Sequence, residues 1–136
     1  MPKFPSMGWA EALKEVINSD PEIREAGKDF EADAVLVIEP AGGLKEKFIV
    51  YVKGSGGVIQ EVRQLKSPDE VPAKFVTSAD YLTWKSIIKG ELDGVKALLM
   101  GRVKLKGDMK EVMKRAKDQQ LMMKALSKVQ TEFIDG

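Results

Sequence analysis

The chain contains no cysteine and no histidine. Without cysteine it has no disulfide, no thiol nucleophile and no thiolate metal site, which suits a reducing compartment. Without histidine it lacks the usual general base near neutral pH and the commonest transition-metal ligand. Neither sign of charge dominates, because 22 basic and 21 acidic side chains leave a net charge of +1. That balance recommends neither nucleic acid nor an anionic bilayer as the main partner. No apolar run approaches the ~18 residues of a membrane span. The opening MPKFPSMGWAEALKEV turns charged and amphipathic too early for a signal peptide, and Phe133-Ile134-Asp135-Gly136 spells no retention, peroxisomal or prenylation signal. A cytoplasmic protein is expected.

What is present suits one globular domain over residues 1–136, with 43% hydrophobic and 32% charged residues and a core large enough to hold a cavity. Trp9, Ala12, Leu13, Val16 and Ile17 recur at helical spacing and predict a first helix over residues 7–18. Asp20-Pro21 reads as a cap and first turn of a short second helix that Gly27 stops. Residues 32–38, 48–52 and 58–65 read as strands, the first nearly all apolar as in a sheet interior. Between the last two, Gly54-Ser55-Gly56-Gly57 reads as a hairpin turn; a phosphate loop would need a helix behind it.

Pro68 and Pro72 bracket a connector to a fourth strand at 73–77, and Ser78 is a candidate cap for a helix whose apolar face carries Tyr81, Trp84, Ile87 and Ile88 and which Gly90 ends. Asp93 opens a further short helix with Val95, Leu98 and Leu99 on one side and Gly101 at its end. Residues 102–106 alternate strictly and predict a fifth strand at a sheet edge, with Arg102, Lys104 and Lys106 on one side. Asp108 with Glu111 opens a terminal helical region, in which Met122, Leu126, Val129 and Phe133 keep the rhythm of one buried helical face.

The residues offer little chemistry. Glu91 with Asp93, and Asp108 with Glu111, sit where helix starts favour negative charge, so capping accounts for them. Tyr51 and Tyr81 could donate protons, but no nucleophile–base–orienter set can be assembled around them. No calcium-loop pattern is present, and neither a metal nor another cofactor is expected. Met100, Met109, Met113, Met122 and Met123 crowd the last third of the chain. Flexible thioethers of this kind line adaptable apolar sites.

Residues 80–108 carry a denser pattern: Asp80-Tyr81-x-Thr83-Trp84-x-x-Ile87-Ile88-x-Gly90-Glu91-Leu92-Asp93, then Ala97-Leu98-Leu99-Met100-Gly101-Arg102-Val103-Lys104-Leu105-x-Gly107-Asp108. This string resembles the signature of sterol carrier protein type 2 lipid-transfer domains, and the order of strands and helices extends the resemblance over nearly the whole chain. The resemblance implies an α+β fold: a five-stranded, mostly antiparallel sheet covered on one face by helices, with a hydrophobic tunnel between them. It also implies a non-catalytic carrier of long-chain fatty acids, fatty acyl-CoAs, sterol-like molecules or phospholipids. Some family members end in a peroxisomal address that this chain lacks, as a stand-alone prokaryotic-type member would. Helical phase together with the resemblance nominates Phe75, Trp84, Ile88, Leu98, Leu99, Met100, Met113, Met122, Leu126 and Phe133 as the lipid-binding wall. Arg102, Lys104 and Lys106 read as guards of an edge strand or as contacts to a CoA head group or anionic bilayer. The expected partner is a lipid or fatty acyl-CoA, with no nucleic acid, at most transient membrane contact, and a monomer or weak dimer. Two other classes stay open: an interaction or oligomerisation module whose apolar groove takes a partner helix, and an enzyme built on carboxylates and tyrosine. The segment Lys117-Asp118-Gln119-Gln120 interrupts the last apolar stripe and is expected to hinge a terminal gate.

Overall fold

A computed structural model of the chain describes residues 1–29 and 31–136. Helix α1 (Met7–Asn18) begins at Ser6, whose hydroxyl accepts the Trp9 N–H, and buries Trp9, Ala10, Leu13 and Ile17. Helix α2 (Pro21–Ala26) is capped by the Asp20 carboxylate and has proline in its first turn. Strands β2 (Glu31–Glu39), β3 (Phe48–Ser55), β4 (Val58–Leu65), β5 (Phe75–Asp80) and β6 (Lys104–Lys106) form a five-stranded sheet in the order β4-β3-β2-β5-β6. Three of its pairings are antiparallel and one, β2 with β5, is parallel. The sheet is therefore mixed but mostly antiparallel. Between β5 and β6 lie α3 (Tyr81–Ile88) and α4 (Gly94–Leu99); after β6 come α5 (Met109–Lys114) and α6 (Ala116–Lys128). A second, two-stranded parallel sheet joins β1 (Lys3–Phe4) to β7 (Glu132–Phe133).

The pleat assigns the two faces. Leu36, Ile38, Phe48 and Val52 point toward the helices, where Trp9, Leu13, Trp84, Ile87 and Leu126 complete the main core. Val35, Val37, Ile49, Tyr51 and Leu65 point the other way, and the connector between β4 and β5 covers them with Val71 and Ala73. Ile59 and Val62 both belong to the helix side although they are an odd number of residues apart. A bulge makes this possible: Lys53 pairs with Glu61 while Gly54 pairs with Ile59, so Gln60 is the extra residue. Asn18 seals this edge of the sheet. Its amide donates to the Ile59 carbonyl at 2.9 Å and accepts the Ile59 N–H at 2.7 Å, which blunts the outer side of β4. Turn residues Gly56 and Gly57 have φ of +65° and +82°. A Cβ on Gly57 would come within 2.3 Å of the Arg24 carbonyl oxygen, so glycine lets α2 sit against the hairpin.

Several boundaries differ from those read in the sequence. Ser78 is not a cap: parallel pairing of β5 with β2 continues to Asp80, and Asp80 accepts the Thr83 N–H at 2.8 Å. Arg102 is not on β6. Its N–H donates to the Ala97 carbonyl at the end of α4, and only Lys104 and Lys106 share the side of the strand facing away from the helices. Phe133 does not continue the last helix: Val129 turns extended, and the Thr131 hydroxyl, accepting from Trp9 Nε1 at 2.9 Å, leads the chain into β7. The segment 117–120 lies inside α6, and the break in the terminal helical region falls at Arg115, with φ −112° and ψ 37°.

Candidate functional site: an apolar cavity between sheet and helices

The helices do not fill their side of the sheet evenly. At one end Phe4 meets Trp9 edge-on at 4.7 Å between ring centroids, with Tyr81 stacked and Phe133 edge-on beyond. Only about 10 Å³ of void remains there, between Phe4, Trp9 and Phe48. Toward the other end lies a cavity of about 270 Å³.

Small residues on the sheet make this space. Register sets Ala32 opposite Gly54 and Ala34 opposite Val52, all four on the wall. Leu36, Phe75, Thr77 and Leu105 finish the floor, while Leu13, Ile17 and Ile23 close one side. Trp84, Val112, Leu121, Met122, Met123 and Leu126 form the roof. The Trp84 ring is fixed by its Nε1 donating to the Val37 carbonyl at 3.1 Å. Met123 reaches its place because Gly94 has no side chain, since a Cβ there would lie 2.4 Å from its sulfur. Gly94 and Ala97 thus set the phase of α4 against α6 and leave Leu99 facing outward.

Of the ten nominated wall residues, the structure brings four together on the cavity: Phe75, Trp84, Met122 and Leu126. Ile88 and Phe133 pack into the main core, and Leu98 lies half-buried against it. Leu99, Met100 and Met113 are exposed by 69%, 66% and 59%. A helical stripe cannot separate a wall from a core, because both bury the same face. Met123 and the small residues Ala32, Ala34 and Gly54 were absent from the nomination. Alternation of small residues in two strands that read as paired is the signal that points to them.

Polar side chains on the wall are few. On the opposite face of the sheet, Asp33 accepts the Tyr51 hydroxyl at 2.8 Å and the Lys74 N–H at 2.7 Å. Burial, and then the Asp33 bond, raise the Tyr51 hydroxyl above its usual range. Arg115 and Asp118 pair at 2.8 Å where α5 meets α6, each about a quarter exposed. Away from the cavity, the Asp135 carboxylate accepts the Tyr81 hydroxyl at 2.6 Å and Lys85 Nζ at 2.9 Å. The Tyr81 bond, then Lys85, bring its pKa from 3.8 down to about 2, while burial and that same bond drive Tyr81 upward. Among the described residues no helix is long and apolar enough to cross a membrane.

A mostly antiparallel sheet, helices over one face and an apolar cavity between the layers define the class of domain as α+β. The family model of the SCP-2 sterol transfer family matches residues 11–124, and the chain belongs to that family. Membership supports a role in binding or transferring lipid. The fold is similar to a crystal structure of sterol carrier protein 2, with 26% identity, a TM-score of 0.80, and 90% of this chain and 95% of that one covered. It is also similar to the solution structure of a conserved hypothetical protein from Thermus thermophilus, with 23% identity, a TM-score of 0.83, and 97% and 93% covered. The solution structure of palmitated SCP2L2 from Aedes aegypti shares the fold at 21% identity and a TM-score of 0.54, with 80% and 88% covered. Comparison with curated proteins gives no significant sequence match.

Proposed function

We propose that the protein is a non-catalytic carrier that holds one long acyl chain, as a fatty acid or fatty acyl-CoA, in the cavity of about 270 Å³. The cavity itself carries this reading. Just below the ~300–1,000 Å³ of ligand sites, its volume suits a single flexible chain better than a rigid sterol or a two-chain phospholipid. Each methylene moved from water into it is worth ~0.8 kcal/mol, so about ten supply ~8 kcal/mol before the costs of ordering and association. Phe75, Trp84, Met122 and Leu126 contact the chain, with Met123 beside them. The palmitated Aedes aegypti protein is a precedent on the same fold. A carrier without catalysis is supported by the pairing of the wall's charged side chains, Arg115 and Asp118, with each other. The reading places it in the cytoplasm as a monomer or weak dimer with at most transient membrane contact.

The test is displacement of a fluorescent fatty-acid analogue by unlabelled acids of increasing length. Affinity is expected to rise roughly fourfold per methylene until the cavity is full. Affinity independent of length would overturn the proposal.

A further inference from the structure

Arg115 is the only basic residue among the described residues that line the cavity. It stands at the joint between α5 and α6, and its Nη1 donates to Asp118 Oδ2 at 2.8 Å. Asp33, next to the wall residues Ala32 and Ala34, turns its carboxylate to the opposite face of the sheet, where the Tyr51 hydroxyl and a backbone N–H hold it. A guanidinium beside an apolar space needs an anion, and in the lipid-free protein Asp118 is that anion. Asp118 also has a place of its own. It lies in the first turn of α6, a helix with no side-chain cap, where the N-terminal N–H groups favour a carboxylate. Asp118 therefore keeps a favourable setting when the pair opens.

We propose that Arg115 exchanges Asp118 for the carboxylate of a free fatty acid, making the ion pair a selector for the acid over neutral lipids of equal length. This rests on the acyl-chain reading above and adds the head group. Guanidinium suits the task because its planar fork matches a carboxylate at two points. The displaced Asp118 turns to water and keeps its place at the helix start. No proton or covalent bond is transferred.

The experiment titrates Trp84 fluorescence with laurate and with 1-dodecanol in the wild type, Arg115→Gln and Asp118→Asn. Arg115→Gln is expected to weaken laurate about tenfold or more and to leave dodecanol within about twofold. Asp118→Asn is expected to tighten laurate several-fold, because the internal competitor is gone, again without effect on dodecanol. Dodecanol binding also reports that each variant has kept its cavity. Equal loss of both ligands in Arg115→Gln would mean packing, and unchanged laurate would mean no head-group contact; either overturns the proposal. Unchanged or weaker laurate in Asp118→Asn overturns the exchange. Dodecyl phosphate binding more tightly than laurate, with the same dependence on Arg115, would overturn the assignment to a carboxylic acid. If neither laurate nor dodecanol binds the wild type, the acyl-chain reading itself falls.

Discussion

Met122 and Leu99 were nominated by the same helical logic, and they separate cleanly by environment. Met122 is half-buried on the roof of the cavity, whereas Leu99 is 69% exposed at the end of α4. Met122→Glu is expected to keep the fold and to lose lipid binding, because an unpaired carboxylate against an apolar wall is costly. Leu99→Glu should match the wild type in both respects; circular dichroism beside a binding titration checks the pair. Asn18 makes a different contribution, holding the bulged edge through two hydrogen bonds to one residue. Asn18→Ala leaves both Ile59 groups without that partner and should lower stability by about 1–3 kcal/mol in urea unfolding. None of this is readable from composition. The methionine-rich last third does contain wall residues, but Met100, Met109 and Met113 lie on the surface, because sulfur content carries no information about which way a helix faces.

At the scale of elements, most of the fold was legible where local chemistry decides. Asp20, Asp93 and Asp108 each cap the helix that follows, and the Gly56-Gly57 turn joins two antiparallel strands, as the hairpin reading expects. Elements of two residues, β1 and β7, were not legible, since nothing so short can display a period and their pairing comes from tertiary packing. The same limit explains why Phe133 was read as helical. The small sheet and its neighbours have a pH signature. Because the folded Asp135 carboxyl, near 2, binds its proton more weakly than the unfolded one at 3.8, the contribution is complete above about pH 4 and is lost as pH falls toward 2. Asp135→Asn should lower the melting temperature near neutrality, with the two proteins converging in acid. Helix α6 provides the remaining test at this scale. Faster amide exchange over Ala116–Lys128 in lipid-free than in lipid-loaded protein, with β2 and β3 unchanged, would mark it as the moving wall, opening from Arg115. Equal protection in both states would make it a fixed part of the core and leave the cavity as the carrier site.

For the whole molecule, occupation of the cavity should appear as stability. A ligand that binds only the folded state at about 100 times its dissociation constant adds ~2.7 kcal/mol, so laurate should raise the unfolding midpoint in proportion to its logarithmic concentration. Architecture also orders events in time. Lys3 pairs with Glu132 and Phe4 with Phe133, so this clasp joins segments that have the entire main sheet between them in sequence. Closing so long a loop is entropically unfavourable until the intervening residues are already compact. The clasp should thus form after the rate-limiting barrier has been crossed. Thr131→Val, which removes the acceptor of the Trp9 indole, should accelerate unfolding while refolding keeps its wild-type rate. The clasp would then act on the lifetime of the folded carrier and leave untouched the speed at which each new chain reaches it.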